Sequence, residues 1–244
     1  MHRACLIACL LLCAPCRALA GAVQLYLMDV PPMSTQAGPG HGVVGDIVLE
    51  ALRRAGIAPQ LQLVPNNRAI VVAQLPSSQS VLIIPLARVP EREAHFTWIA
   101  PLYKVERAFF TTGKQIDSYA EARRALHTIG VARGTVTPVI LHAQGFAAAQ
   151  IYQISDNDNV PRMLEAGRMD AWFGPIEQMH VFLRNKHPTR RIVEGKPVNG
   201  TDNYLACSRQ CDPALVARLS RQLAAMERDG TIRAIRARYA RAGR

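Results

Sequence analysis

Acidic residues are scarce in this sequence: 18 Asp and Glu stand against 29 Lys and Arg over 244 residues, a formal charge of +11. Long apolar runs are missing as well. No uncharged apolar stretch reaches the roughly 18 residues that a membrane-spanning helix needs, which excludes a polytopic membrane protein. Charged residues make up only 19% of the chain and hydrophobic ones 49%, so disorder is excluded as the main theme: this much apolar surface offsets the entropy of ordering. Six Cys, 16 Gly and 16 Pro are ordinary levels that exclude collagen-like chains and small disulfide scaffolds. The chain also lacks a G-x-S-x-G elbow, an H-E-x-x-H pair and a Walker-type glycine loop, and its seven histidines have no catalytic spacing.

What is present begins with a leader. Met1-His2-Arg3 forms a short basic region, Ala4–Cys16 an uncharged apolar stretch of 13 residues, and Ala18-Leu19-Ala20 a small-residue cleavage site. Residues 1–20 are therefore predicted to be an export signal, with the mature chain starting at Gly21 in the periplasm. Four cysteines and two arginines leave with the signal, so the mature chain carries 27 basic and 18 acidic residues, a charge of +9. Cys207 and Cys211 remain, separated by three residues, and an oxidising compartment makes them a predicted disulfide. In the loop-entropy picture so short a bridge contributes about 2 kcal/mol. The closest histidine in sequence is His187, so no metal site is expected, and no cofactor either. A nucleic-acid role rests on charge alone. The basic residues are spread over predicted helix surfaces (Arg53-Arg54, Arg123-Arg124, Arg190-Arg191 and the run Arg233, Arg236, Arg238, Arg241, Arg244), and export removes cytoplasmic nucleic acid from reach.

Strand and helix signals alternate along the mature chain. Alternation and β-propensity predict strands at Val23–Leu27, Leu61–Val64, Thr128–Val131, Ile151–Ile154, Ala171–Phe173 and Asn203–Ala206. Val81–Ile84 is a continuous apolar run, the mark of a strand covered on both faces. Helical spacing predicts helices over Val43–Ala55, Asn67–Leu75, Asp117–Ala125, Gly134–His142, from Asn159 to Gly167, and over Ile176–Leu183, followed by one opened by Asp212-Pro213 and a last basic helix carrying Ile232, Ile235 and Tyr239. The fold class is α/β with mainly parallel strands, in two lobes.

Four stretches carry a resemblance. Pro90-Glu91-Arg92-Glu93 with Phe96 and Pro101-Leu102-Tyr103, Gly42-Val43-Val44-Gly45-Asp46 leading to Gly56, Met163 to Ala171 (MLEAGRMDA), and Asp229-Gly230-Thr231-Ile232 with Tyr239 follow one another in order and at the right spacing. Together they resemble the bacterial extracellular solute-binding proteins of family 3, the polar amino-acid type. The resemblance implies a type II two-lobed fold in which each lobe is a mainly parallel sheet flanked by helices, joined by two hinge strands and closing over a solute. Lobe one would comprise residues 21–110 with 204–244, and lobe two residues 111–203, with crossings near Phe110-Thr111 and Asn203-Tyr204. It further implies a monomer that delivers its solute to an ABC-type permease or a membrane sensor.

In the resemblance Arg92 falls on the arginine that grips a ligand's α-carboxylate, a task suited to a planar guanidinium with two parallel donors. Gly134 and Thr135 fall on the backbone and hydroxyl that meet the same carboxylate from lobe two. Arg88, four residues before Arg92, and Arg68 are further candidate cations for an anionic solute. Asp29, at the end of the first strand, is the candidate acid for a cationic one, and Tyr103 and Trp98 are candidate aromatic walls. The sequence departs from the family where the amino-acid type carries its ammonium-binding acid: Gly174-Pro175 follows the "DA" strand instead. An exported enzyme on the same fold, a prephenate or cyclohexadienyl dehydratase, is the alternative, but no diagnostic acid/base pair supports it.

Overall fold

The computed structural model describes residues 23–35, 40–155, 159–186, 189 and 191–242. The predicted leader and the Gly38-Pro39 loop lie outside these residues. The first half of the chain builds a sheet whose alternation sorts side chains to two sides. Strand β1 (Gln24–Met28) pairs in parallel with β2 (Gln60–Val64) and with β3 (Leu82–Ala87). Leu25, Leu27, Leu82 and Ile84 point to one face, where Val44, Ile47 and Leu52 of helix α1 (Gly42–Arg54) cover them. Tyr26, Met28, Ile83 and Leu86 point to the other, beneath Ala69 and Ala73 of α2 (Asn66–Gln74). All six residues of β3 are buried, as expected for a strand covered on both faces.

Two long strands carry the chain between the halves of the molecule. β4 (Phe96–Thr111) runs for 16 residues, and β9 (Asn199–Ser208) pairs with it antiparallel from Phe96↔Ser208 to Arg107↔Asn199. At Arg107 strand β4 takes up a second partner, β7 (Ala171–Pro175), which it follows to Thr111↔Ala171. β7 in turn is parallel to β5 (Ile129–Ala132), and β5 to β6 (Ile151–Ile154). The strand order is thus β2-β1-β3-β9-β4-β7-β5-β6, with the short β8 (Val193–Glu194) against β4. Each half is parallel within itself, and the antiparallel joints fall on the crossing strands.

In the second half, α3 (Tyr119–Ala125) and α4 (Thr137–Ala143) cover Phe109, Ile129, Val131 and Phe173. On the other face α5 (Val160–Glu165) and α6 (Ile176–Lys186) cover Phe110 and Trp172. Helix α4 starts at Thr137, three residues after the predicted start. Gly134 adopts φ +73°, which ends the β5 connection in a turn, and Pro138 sits in the first helical turn, where its fixed φ belongs. The chain closes on the first half with α7 (Pro213–Arg228), capped by Asp212 accepting from the Ala214 N–H, and α8 (Thr231–Ala242). Cys207, buried in β9, is disulfide-bonded to Cys211 just ahead of α7.

A charge network fastens α1 to the α7–α8 turn. Glu50 accepts from Arg53 (2.7 Å) and Arg54 (2.8 Å), and Arg54 reaches on to Asp229 (2.6 Å) and the Thr231 hydroxyl (2.8 Å). The hydrogen bond from Arg53, then that from Arg54, pulls the Glu50 carboxyl down to about 2. The Thr231 hydroxyl, then Arg54, brings Asp229 to about 2 as well. Both carboxylates are depressed in the folded state, so their contribution is fully present above the unfolded carboxylate range of about 4 and is lost as pH falls through about 2. The gap in melting temperature between the wild type and Arg54→Met should therefore be widest near pH 7 and close between about pH 4 and pH 2. The pairs are partly exposed to solvent, so high salt should also narrow that gap.

Candidate functional site

The parallel strands of both halves end at one cavity. Met28 closes β1, Ala87 closes β3, Ala132 closes β5 and Pro175 closes β7, and all four line it. A crevice beyond the carboxyl ends of strands is where open α/β sheets hold ligands. The cavity is narrow, with about 50 Å³ open to the centres of water-sized molecules inside a free space of about 590 Å³ that reaches out to its mouth. Its walls are mainly apolar, with Met33, Ile70, Val105, Val136 and Phe173 among them. The polar groups are Arg92, Arg107, Asn203, Gln178, Thr135 and Thr137, joined at the rim by Asn66. Among the described residues no aspartate or glutamate lines it.

Arg92 is placed by local chain geometry. The extended Val89 and Pro90 start a 3-10 turn over Pro90–His95, closed by the Arg92 N–H donating to Val89 O (2.9 Å). The guanidinium folds back so that Nη1 donates to Ala87 O at 3.4 Å, a weak bond at the end of β3. Burial holds its pKa below the ordinary arginine value, and the nearby charge of Glu91 offsets that only in part. Arg92 makes no ion pair among the described residues.

Arg107 was not foreseen from the sequence. It is 4% exposed, and its Nη1 donates to the hydroxyl of Thr201 (2.9 Å), to Asn199 Oδ1 (3.3 Å) and to Val105 O (3.3 Å). Its Nε is buried with no partner. Burial brings its pKa down to about 10; Tyr119 and the Glu177 carboxylate oppose that, and the positive charge of Arg92 adds to it as the smallest influence. A signal for it did exist in the two-residue period: Val105, Arg107 and Phe109 share one buried parity of β4 while Glu106 faces out.

Of the residues singled out from the sequence, the cavity gathers Arg92, Gly134 and Thr135. Thr135 is anchored by its hydroxyl donating to Ala132 O (2.8 Å) and accepting from the Thr137 N–H (3.3 Å). The others do not line it. Arg88 donates through Nε and Nη2 to Glu93 (3.0 and 2.5 Å) and lies over the rings of Trp98 and Tyr204, its pKa raised first by Glu93. Its four-residue offset from Arg92 is not helical, because β3 ends at Ala87 and the 3-10 turn begins only at Pro90. Trp98 packs beside Phe96 and Tyr204 in the cluster under α2. Arg68 is exposed in the first turn of α2, and Asp29 is exposed just beyond β1. Tyr103 lines a neighbouring groove between α6 and α8, where its hydroxyl donates to Glu177 Oε1 (3.1 Å). Burial, and then that carboxylate, raises its pKa to about 12. Glu177 is not among the residues lining the cavity, although its charge acts on Arg107.

Among the described residues, two contacts between the halves flank the cavity. One is the Tyr103–Glu177 hydrogen bond between β4 and α6. The other is steric: Asn67 of α2 sits so close over Gly134 that a Cβ there would lie 2.1 Å from Asn67 Oδ1.

Two α/β halves bridged by two long strands, with the parallel strands of both ending at one cleft, define a two-lobed solute-binding fold. Residues 25–242 match the family described as bacterial extracellular solute-binding proteins, family 3, and the chain belongs to that family. Solved structures share the fold at low identity. A histidine kinase sensor domain with similarity to periplasmic binding proteins is 17% identical with a TM-score of 0.76, covering 88% of this chain and 95% of its own. EhuB in complex with hydroxyectoine is 18% identical with a TM-score of 0.76, covering 88% and 86%. AbpA from Streptococcus pneumoniae, an amino acid ABC transporter substrate-binding protein bound to L-arginine, is 14% identical with a TM-score of 0.71, covering 90% and 95%. No curated protein matches the chain by sequence.

Proposed function

We propose that this is a periplasmic binding protein that closes its two lobes over a small carboxylated solute, and that it makes and breaks no bond. The observation that carries this reading is the convergence of Arg92, Gly134 and Thr135 on a cavity that, among the described residues, is lined by no acidic side chain. A carboxylate there meets an arginine with no competing ion pair, in a mainly apolar setting where the interaction is screened little. The lobes, residues 21–110 with 204–244 and residues 111–203, turn about β4 and β9, and the long β4–β9 pairing supports such a hinge. The captured solute passes to an ABC-type permease or to a membrane sensor. AbpA supports the first destination and the histidine kinase sensor domain the second, each as a protein built on this fold.

A thermal-shift screen over amino acids, mono- and dicarboxylates, polyamines and small aromatic acids tests the proposal. A ligand at one hundred times its dissociation constant stabilises the folded state by about 2.7 kcal/mol, a rise of several degrees. Carboxylated compounds should give the shifts and polyamines none. Shifts confined to polyamines would overturn the reading.

A further inference from the structure

A single carboxylate on Arg92 leaves a second charge in the same cavity unmatched. Arg107 lines the cavity from β4 and makes no ion pair among the described residues. One of its terminal nitrogens is held by β9, and its Nε is buried without a partner. A guanidinium so deeply buried is costly without an anion. Neutral donors and acceptors, Asn203 and Gln178, stand nearby, both buried.

The strand register places the two arginines apart. Arg92 Nη1 rests on Ala87 O, and Ala87 is level with Asn203 of β9 and Tyr103 of β4. Arg107 reaches back along β4 to Val105 O and Thr201, which are level with each other two residues further along. Two steps of about 3.3 Å along the strands and one or two spacings of about 4.8 Å across them separate the acceptors that anchor the two guanidinium groups by roughly 8–12 Å. One carboxylate reaches both guanidinium groups only at the short end of that range. Two carboxylates, each about 2.8 Å from its arginine, would stand roughly 3–6 Å apart, the span of a three- to five-carbon chain. Phe173, Val105 and Met28 supply apolar wall for such a chain, and among the described residues no carboxylate lines the cavity to receive an ammonium.

We infer that the cavity takes a short aliphatic diacid lacking an α-amino group, with one carboxylate on Arg92 and the other on Arg107. This rests on the reading of the cavity as a carboxylate site and narrows it to a ligand class. Isothermal titration of the protein with succinate, glutarate, butyrate and L-glutamate tests it. The tighter of the two diacids should bind about tenfold or more tighter than butyrate, and tighter than L-glutamate, whose ammonium finds no partner. In Arg107→Gln the diacid-to-butyrate ratio should fall close to one, and in Arg107→Lys, which keeps the charge, a preference for the diacid should persist. Butyrate binding as tightly as either diacid, or L-glutamate binding tighter than glutarate, overturns the inference from the wild type alone. So does an unchanged ratio in Arg107→Gln, which would make Arg107 a hinge clamp only. If the monoacid and diacids bind equally and Arg92→Gln abolishes both, the carboxylate reading stands and the diacid inference falls. If none of the four acids binds, the diacid inference falls, and the carboxylate reading falls with it only if no other carboxylated compound of the thermal-shift screen stabilises the protein.

Discussion

Arg92→Ala should abolish the thermal shift produced by any carboxylated ligand while leaving the unliganded protein as stable as before, or slightly more so. The two halves of that expectation come from the same observation. In the free protein Arg92 is half-buried, is held below its ordinary pKa mainly by desolvation, and has one weak hydrogen bond to Ala87 O. Such a charge contributes little to folding, and its removal relieves a desolvation cost. With a carboxylate bound, the same guanidinium becomes one half of a desolvated ion pair. Truncating one partner of such a pair costs about 2–5 kcal/mol, or roughly thirtyfold to several-thousandfold in Kd. A purely structural arginine would show the reverse pattern, with a lower melting point in the free protein and an intact ligand shift. Differential scanning fluorimetry with and without the best carboxylate hit separates the two. A shift that survives in the variant removes Arg92 from the site.

Much of the fold could be read because each local signal agreed with the final packing. The apolar spacing of Val44, Ile47, Val48, Ala51 and Leu52 became the buried face of α1, and the unbroken Val81–Ile84 run became a strand covered on both sides. Strand β4 was not legible as one element. Pro101 interrupts it, two register shifts break its alternation at Trp98/Ala100 and Pro101/Tyr103, and Lys104 and Glu106 are exposed on either side of the buried Val105. Losing β4 meant losing Arg107, whose meaning depends on its place at the exchange from β9 to β7. The sequence also suggested cations by proximity to Arg92, and proximity misled. Arg88 lies on the far side of an extended residue and is engaged by Glu93 and two aromatic rings, whereas the second arginine of the cavity lies fifteen positions further on and arrives by sheet register. Motifs carried in contiguous residues survive the passage from sequence to structure. Sites assembled across strands require the register itself.

Gly134→Ala is expected to weaken ligand binding by about 5- to 150-fold at only a modest loss of stability, because the substitution obstructs closure rather than folding. Gly134 has φ +73°, so any side chain there carries a backbone cost of about 1 kcal/mol whether the lobes are open or closed. The atoms nearest to the added Cβ all belong to Asn67 across the cleft: Oδ1 at 2.1 Å, Cγ at 2.7 Å and the backbone nitrogen at 3.2 Å. Asn67 is exposed on α2 of the other half, so an open arrangement escapes the clash. Relieving it in the closed form requires displacement worth about 1–3 kcal/mol, which sets the range of affinity loss. Under the proposed opening of the lobes the free protein escapes this cost, which then appears in Kd, with the melting temperature of the free protein lowered only by the backbone term. Adding Asn67→Ala removes the nearer contact and should restore part of the affinity, leaving the residue due to the backbone nitrogen. If the double variant binds no better than Gly134→Ala, the loss arises within the β5–α4 turn, and Asn67 does not report on closure. Recovery in the double variant would show that the rim of the cavity, and not its arginines alone, sets how tightly a solute is held.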